Sequence, residues 1–238
     1  MKLVKMPIVY TCMLIIAGCA SMEPVSTYRD QAYASFKNQQ YDDAIDLYSK
    51  AIVLAPQDSA LYNNRGYAYS GKSMWDKAIA DYTQAITLNP KSVAHYFNRG
   101  MAYLSTMQFD KARKDFDKGL EIAEYKDPLY IYYKGFAYMS LGEDDKAIES
   151  FSEALNKNFL SPTCFLYRGQ MYMKNGATDK AIADFSQAIS AKPDYIDAYA
   201  SRGDAYMKLG KQQEAKRDYQ KACDLGHLGI CDELKQMK

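Results

Sequence analysis

The chain has 238 residues, of which 48% are apolar and 25% charged, with 13 Gly and 7 Pro; this composition excludes a disordered, collagen-like or multi-span membrane protein and leaves one large or two small globular domains. With 30 Lys and Arg against 29 Asp and Glu, the net charge of +1 offers no basic face for neutralising phosphates, and nucleic acid is not an expected partner. Only 2 His accompany 22 Tyr, a poor supply of imidazole for acid–base or metal chemistry.

In chain order, the first element is an address. Lys2 and Lys5 precede an apolar run from Met6 to Ala17 that is too short to span a bilayer as a helix, as in a secretory signal. It closes on Ile16-Ala17-Gly18-Cys19, which resembles the lipobox of bacterial lipoproteins. The resemblance implies removal of residues 1–18, lipidation at Cys19 and a membrane anchor of several acyl chains, each gaining about 0.8 kcal/mol per buried CH₂. Ala20 is not the Asp that in enteric lipoproteins favours retention at the inner membrane, so the expected address is the periplasmic face of the outer membrane. Residues 19–24 form a short polar tether. Processing removes Lys2 and Lys5 and no acid, which takes the mature balance to −1.

From residue 25 a single pattern recurs, Ala-Ile followed by an aromatic and a second Ala, beginning at Ala44, Ala78, Ala112, Ala147, Ala181 and Ala215, with the third and sixth copies looser. The spacings are 34, 34, 35, 34 and 34 residues. This period, with small residues at positions 8, 20 and 27, aromatics at 4, 11 and 24 and Pro at 32, resembles the tetratricopeptide repeat. The second copy fills every slot, with Tyr62, Gly66, Tyr69, Ala78, Tyr82, Ala85 and Pro90. The resemblance implies an all-α fold, a right-handed α-solenoid of six helical hairpins (25–58, 59–92, 93–127, 128–161, 162–195 and 196–229) with residues 230–238 as a capping helix. Small residues at 8 and 20 would let helices A and B of a hairpin approach closely, with the aromatics filling the space between neighbours. The third copy departs, with Gly119 at position 27, Glu124 in place of Pro and one extra residue, so the joint into the fourth is expected to be the least regular. The fourth copy has Phe159 in place of that Pro.

Comparison of the copies pairs position 7 of helix A with position 23 of helix B. Arg65, Arg99, Arg168 and Arg202 accompany Asp81, Asp115, Asp184 and Asp218, whereas Gln31 and Lys134 accompany Leu47 and Ser150. A half-buried ion pair tying A to B is the expectation, rather than a catalytic array. No phosphate loop, nucleophile elbow or zinc motif is present in the sequence. No catalytic residue, metal site or cofactor is assigned, and the chain is not expected to be an enzyme.

His95 reads as a structural histidine and Cys164 as a buried small apolar residue. With Cys19 lipidated, Cys223 and Cys231 remain as a pair, and similarly spaced cysteines staple hairpins in disulfide-rich solenoids related to these repeats. Free thiols, and a soft metal site formed by Cys223, His227 and Cys231, are the alternatives.

The family resemblance implies a concave groove lined by positions 5 and 9 of helix A, one turn apart on one face. In order these are Arg29 and Tyr33, Asn63 and Tyr67, Phe97 and Met101, Tyr132 and Phe136, Leu166 and Gln170, and Ala200 and Asp204. Of the 21 Tyr beyond residue 18, 12 occupy the repeat's own aromatic slots, whereas Tyr33, Tyr67, Tyr132, Tyr133 and Tyr167 do not. Those five, with Arg29, Asn63, Phe97, Met101, Phe136 and Gln170, are the expected partner-binding residues, since aromatic and Met side chains offer large contact area at modest entropy cost. The carboxylate clamp of some family members is not matched: Tyr33, Ala94 and Asn98 stand where Asn, Lys and Arg are expected. The implied function is a lipid-anchored adaptor binding protein or peptide segments in the envelope. A glycan-binding module stacking tyrosines on sugars is the alternative.

Overall fold

A computed structural model describes residues 23–123 and 126–236. The leader, Cys19 and most of the tether lie outside the described residues, as do residues 124, 125, 237 and 238. Among the described residues there are 13 helices and no strand. The first three hairpins are α1 (Val25–Lys37) with α2 (Tyr41–Leu54), α3 (Ser59–Gly71) with α4 (Trp75–Leu88), and α5 (Val93–Ser105) with α6 (Phe109–Ile122). The next three are α7 (Pro128–Ser140) with α8 (Asp144–Asn156), α9 (Pro162–Lys174) with α10 (Thr178–Ala191), and α11 (Ile196–Lys208) with α12 (Gln212–Asp224). The last helix, α13 (Leu228–Gln236), begins two residues ahead of the expected cap.

Local chemistry explains these boundaries. Asp58 and Asp127 accept hydrogen bonds from Ala60 N–H (2.9 Å) and Leu129 N–H (2.8 Å) at the starts of α3 and α7, satisfying donors that a helix start leaves without partners. Pro128 and Pro162 open α7 and α9, where a missing N–H costs nothing. Every B helix carries an acid in its first turn, against the positive end of its dipole. Each A helix ends on a left-handed residue at position 15: Gln39, Ser73 and Met107 in the first three hairpins, Gly142, Gly176 and Gly210 in the last three. The next residue reaches back to the last helical turn, as Met74 N–H does to Tyr69 C=O (2.9 Å) and Ala177 N–H to Tyr172 C=O (2.8 Å), a Schellman closure.

Within each hairpin the contact is as close as the small residues allow. A Cβ added at Gly66, Gly100, Gly135, Gly169 or Gly203 would lie 2.4–2.9 Å from the ring of Tyr82, Phe116, Phe151, Phe185 or Tyr219. Alanines at position 20 are fully buried in all six hairpins. Each helix packs against the next along the chain, so the core is a series of linked layers in an α-solenoid. A helices of neighbouring hairpins also touch (α1 with α3, α3 with α5, α7 with α9, α9 with α11), but α5 and α7 approach less closely. Rings fill this wider joint: Phe97 lies 4.1 Å from Tyr130 and 5.6 Å from Tyr133 between ring centroids.

The expected ion pairs form. Arg65, Arg99, Arg168 and Arg202 each make a two-point contact at 2.7–2.8 Å with Asp81, Asp115, Asp184 and Asp218. The third guanidinium nitrogen donates to position 25 of the preceding repeat, at Ser49, Thr83, Ser152 and Ser186 (2.9–3.1 Å), so one arginine ties three helices together. Tyrosines at positions 4 and 11 flank Arg65, Arg99 and Arg202, as Tyr62 and Tyr69 do for Arg65 at 5.8 and 5.9 Å, whereas Arg168 has Tyr172 on one side. Hydrogen bonding to Asp81 raises the Arg65 pKa, and Arg99 and Arg202 behave likewise toward their carboxylates. At the third joint the arrangement is exchanged: Lys134 replaces Arg and pairs at 2.9 Å with Asp117 of the preceding repeat.

Candidate functional site

Helix-A residues at positions 5 and 9 of hairpins 2 and 3, with Tyr33 of α1 and rings from adjoining turns, line a groove that runs from hairpin 1 to Leu129 and Tyr133 of hairpin 4. It has two adjoining pockets, about 420 and about 220 Å³, which share Phe36, Tyr67 and Asn98. The larger includes Trp75, Phe97, Met101, Leu129 and Tyr133; the smaller includes Tyr33, Asn63 and Asn64. Tyr33 and Tyr67 are 53% and 49% exposed, an outlay of apolar surface that the fold itself does not use. Phe36 meets Tyr67 edge-on at 5.5 Å and fixes its ring.

A hydrogen-bond network holds the amide end. Asn63 Oδ1 accepts from Asn98 Nδ2 (2.9 Å) and lies 3.2 Å from His95 Nδ1, while His95 Nε2 lies 3.3 Å from Ser59 Oγ. A neutral His95 with its proton on Nδ1 satisfies this arrangement, donating to Asn63 and accepting from Ser59. Burial lowers the His95 pKa, which favours that neutral form. His95 is therefore a supporting residue behind the groove wall.

The structure brings together Tyr33, Asn63, Tyr67, Phe97, Met101 and Tyr133 of the expected set, and not the rest. Tyr132 is a correction: it is 9% exposed, its ring is 5.1 Å from Phe159 and its hydroxyl donates to Thr163 Oγ1 at 3.3 Å. It is core between hairpins 4 and 5, and burial pushes its hydroxyl up to about 12. Leu166, at the same position of the next hairpin, is likewise buried. Phe136 and Tyr167 are half-buried and pack on each other at 5.6 Å. Gln170 is half-buried, and Arg29 is exposed with its Nε donating to Asp30 at 3.2 Å. None of these six lines the two pockets.

Sequence reasoning missed Phe36 and Trp75. Phe36 lies three residues after Tyr33 on the same helical face, a signal the sequence carried. Trp75 opens a B helix and reaches the site only through folding.

Cys223 and Cys231 are joined by a disulfide between α12 and α13, which leaves neither as a thiolate for the metal site. Among the described residues, no group of three or more His, Cys, Asp or Glu is placed to hold a metal ion. Cys164 is buried, its thiol pushed up to about 12 by desolvation. No helix among the described residues is long and apolar enough to cross a membrane.

Stacked two-helix units presenting one face of their A helices as a groove define a helical-repeat interaction protein. Family comparison gives the same answer: a model described as TPR repeat matches residues 32–73 and 169–210, and models described as tetratricopeptide repeat match 59–92, 81–114, 130–156 and 196–226. The chain belongs to the tetratricopeptide repeat family. No curated protein matches it.

Several solved structures are similar in fold. YrrB, described as a tetratricopeptide repeat protein with an unusual peptide-binding site, superposes with a TM-score of 0.68 at 22% identity, covering 79% of this chain and 97% of its own. MamA gives 0.64 at 27% identity over 67% of this chain and 93% of its own. Pseudomonas aeruginosa pilF gives 0.75 at 13% identity, covering 90% and 97%.

Proposed function

We propose that this protein is a non-catalytic adaptor that binds peptide segments of envelope proteins in the groove of hairpins 1 to 4, held by lipid on Cys19 at the periplasmic face of the outer membrane. The observation that carries the binding role is the continuous aromatic and amide lining shared by four consecutive hairpins, with Tyr33 and Tyr67 half-exposed in it. Its support from relatives is the peptide-binding site ascribed to YrrB, which shares the fold. The anchor rests on the order of Lys2, Lys5, the apolar run and Ile16-Ala17-Gly18-Cys19. Anchoring would concentrate partners such as cell-wall enzymes or secretion and pilus components beside the membrane without a further contact.

The test is crosslinking capture from intact envelopes by wild type and a Tyr67→Ala/Met101→Ala variant, which leaves the repeat slots untouched. A small set of proteins captured by the wild type and lost in the variant supports the groove. Unchanged capture moves binding elsewhere. Metabolic labelling with a palmitate analogue, present in wild type and absent in Cys19→Ala, tests the anchor.

One observation favours a second reading. Asn63, Asn64 and Asn98 converge beside Tyr33 and Tyr67, the combination of stacking rings and amides that a sugar requires. Calorimetric titration with muropeptides that yields only heat of dilution excludes it.

A further inference from the structure

A quarter of this chain is charged, yet none of the residues lining the two joined pockets is Asp, Glu, Lys or Arg. The serine hydroxyls in the larger pocket, and that of Tyr82, are already engaged within the protein. Ser105 Oγ donates to Met101 C=O at 3.1 Å, and Ser70 Oγ shares a hydrogen bond with Tyr82 Oη at 3.1 Å. What remains there is mostly apolar: Tyr67, Trp75, Phe97, Met101, Leu129 and Tyr133. A carboxylate placed among these groups would lose its hydration without gaining a cationic partner, whereas a bulky apolar side chain would lose only unfavourable contact with water. In the wall shared by the two pockets, Asn98 donates through Nδ2 to Asn63, which leaves its Oδ1 as an acceptor.

Resting on the peptide-binding reading above, we infer that the groove selects an extended, uncharged segment that seats one bulky apolar side chain in the larger pocket and gives a backbone N–H to Asn98 Oδ1. The pocket runs from Phe36 and Tyr41 of the first hairpin past Tyr67 and Trp75 of the second to Phe97 and Met101 of α5, and is closed by Leu129 and Tyr133 of α7. Such recognition uses no ion pair, and its affinity is insensitive to ionic strength.

Two readouts test this. A random peptide library is selected against the full chain and, in parallel, against Tyr67→Lys and Met101→Lys; Tyr67 is half-exposed, so its variant folds even where the second does not. Peptides enriched on wild type are then titrated, following fluorescence of Trp75, the only Trp in the chain. The expected result is a consensus of Phe, Leu, Met or Trp with neutral flanks, a Trp75 response, and binding about tenfold or more weaker when the apolar residue is replaced by Glu. Between low and high salt the affinity changes by less than about twofold.

A consensus rich in charged residues, a steep salt dependence, or no enrichment over the variants overturns the inference. Envelope capture separates this failure from failure of the wider reading. Groove-dependent capture with a charged or salt-sensitive consensus leaves the adaptor function standing and removes only this chemistry. Capture that ignores the groove removes both.

Discussion

At single residues, the six hairpins act as an internal comparison. Position 15 is left-handed throughout, with Gly in hairpins 4 to 6 and Gln39, Ser73 and Met107 in the first three at φ of 60°, 57° and 56°. A side chain in that region costs roughly 1–2 kcal/mol, against roughly 0.5–1 kcal/mol of additional entropy lost by Gly on folding. Ser73→Gly and Met107→Gly should therefore each stabilise the protein by about 0.5–1 kcal/mol, read as a higher urea midpoint with unchanged slope. Gly176→Ala should move the midpoint the other way. His95 gives a residue-level pH dependence. Burial sets its folded pKa below the unfolded value, so its contribution is fully present above the unfolded pKa of about 6.5 and is lost as pH falls from there toward the folded value. Denaturation midpoints measured down from neutral pH should fall less steeply in His95→Gln than in wild type; parallel curves would mean that the ring does not carry the effect.

At the level of helices, what the sequence made legible was what repeats at a fixed offset within one hairpin. The glycine–aromatic contact of positions 8 and 24 and the Arg–Asp pair of positions 7 and 23 each recur often enough for copies to be compared. Interactions crossing a hairpin boundary were harder to read: Ser49, Thr83, Ser152 and Ser186 receive the arginines of the next hairpin. At the third joint Asp117 and Lys134 exchange a within-repeat pair for one between repeats. Positions 5 and 9 likewise identified a helix face, but not which part of it is open. Tyr132 is closed over because Phe159 stands where the repeat has Pro and places a ring 5.1 Å away. The two kinds of ion pair should differ in energy. Asp184 keeps only 6% of its side chain exposed, so Arg168→Ala strands a buried carboxylate and should cost about 3 kcal/mol. Lys134 and Asp117 are 27% and 37% exposed, and Lys134→Ala should cost less than about 1 kcal/mol. Equal losses in chemical denaturation would contradict this ranking.

Across the whole molecule, a linear stack places most of its stability in contacts between neighbours, so its ends matter more than those of a globular domain. The C-terminal end is closed by α13, where Ile230, 6% exposed, joins Ala215, Tyr219 and Ala222 in one cluster. The Cys223–Cys231 disulfide fastens that helix to α12 across a sequence separation of 8. A bond closing so short a loop restrains few residues of the unfolded chain, and about 2 kcal/mol is a reasonable magnitude. Its effect should be confined to the nearby layers. Cys231→Ser, or reduction of the wild type, should speed amide exchange in α13, α12 and α11 while leaving α3 to α6 and the groove unchanged. Peptide binding at hairpins 1 to 4 should then survive reduction. If protection in α3 to α6 falls in step with that in α12, the solenoid unfolds as one cooperative unit rather than as coupled layers, and the cap would govern the stability of the binding groove as well as its own end.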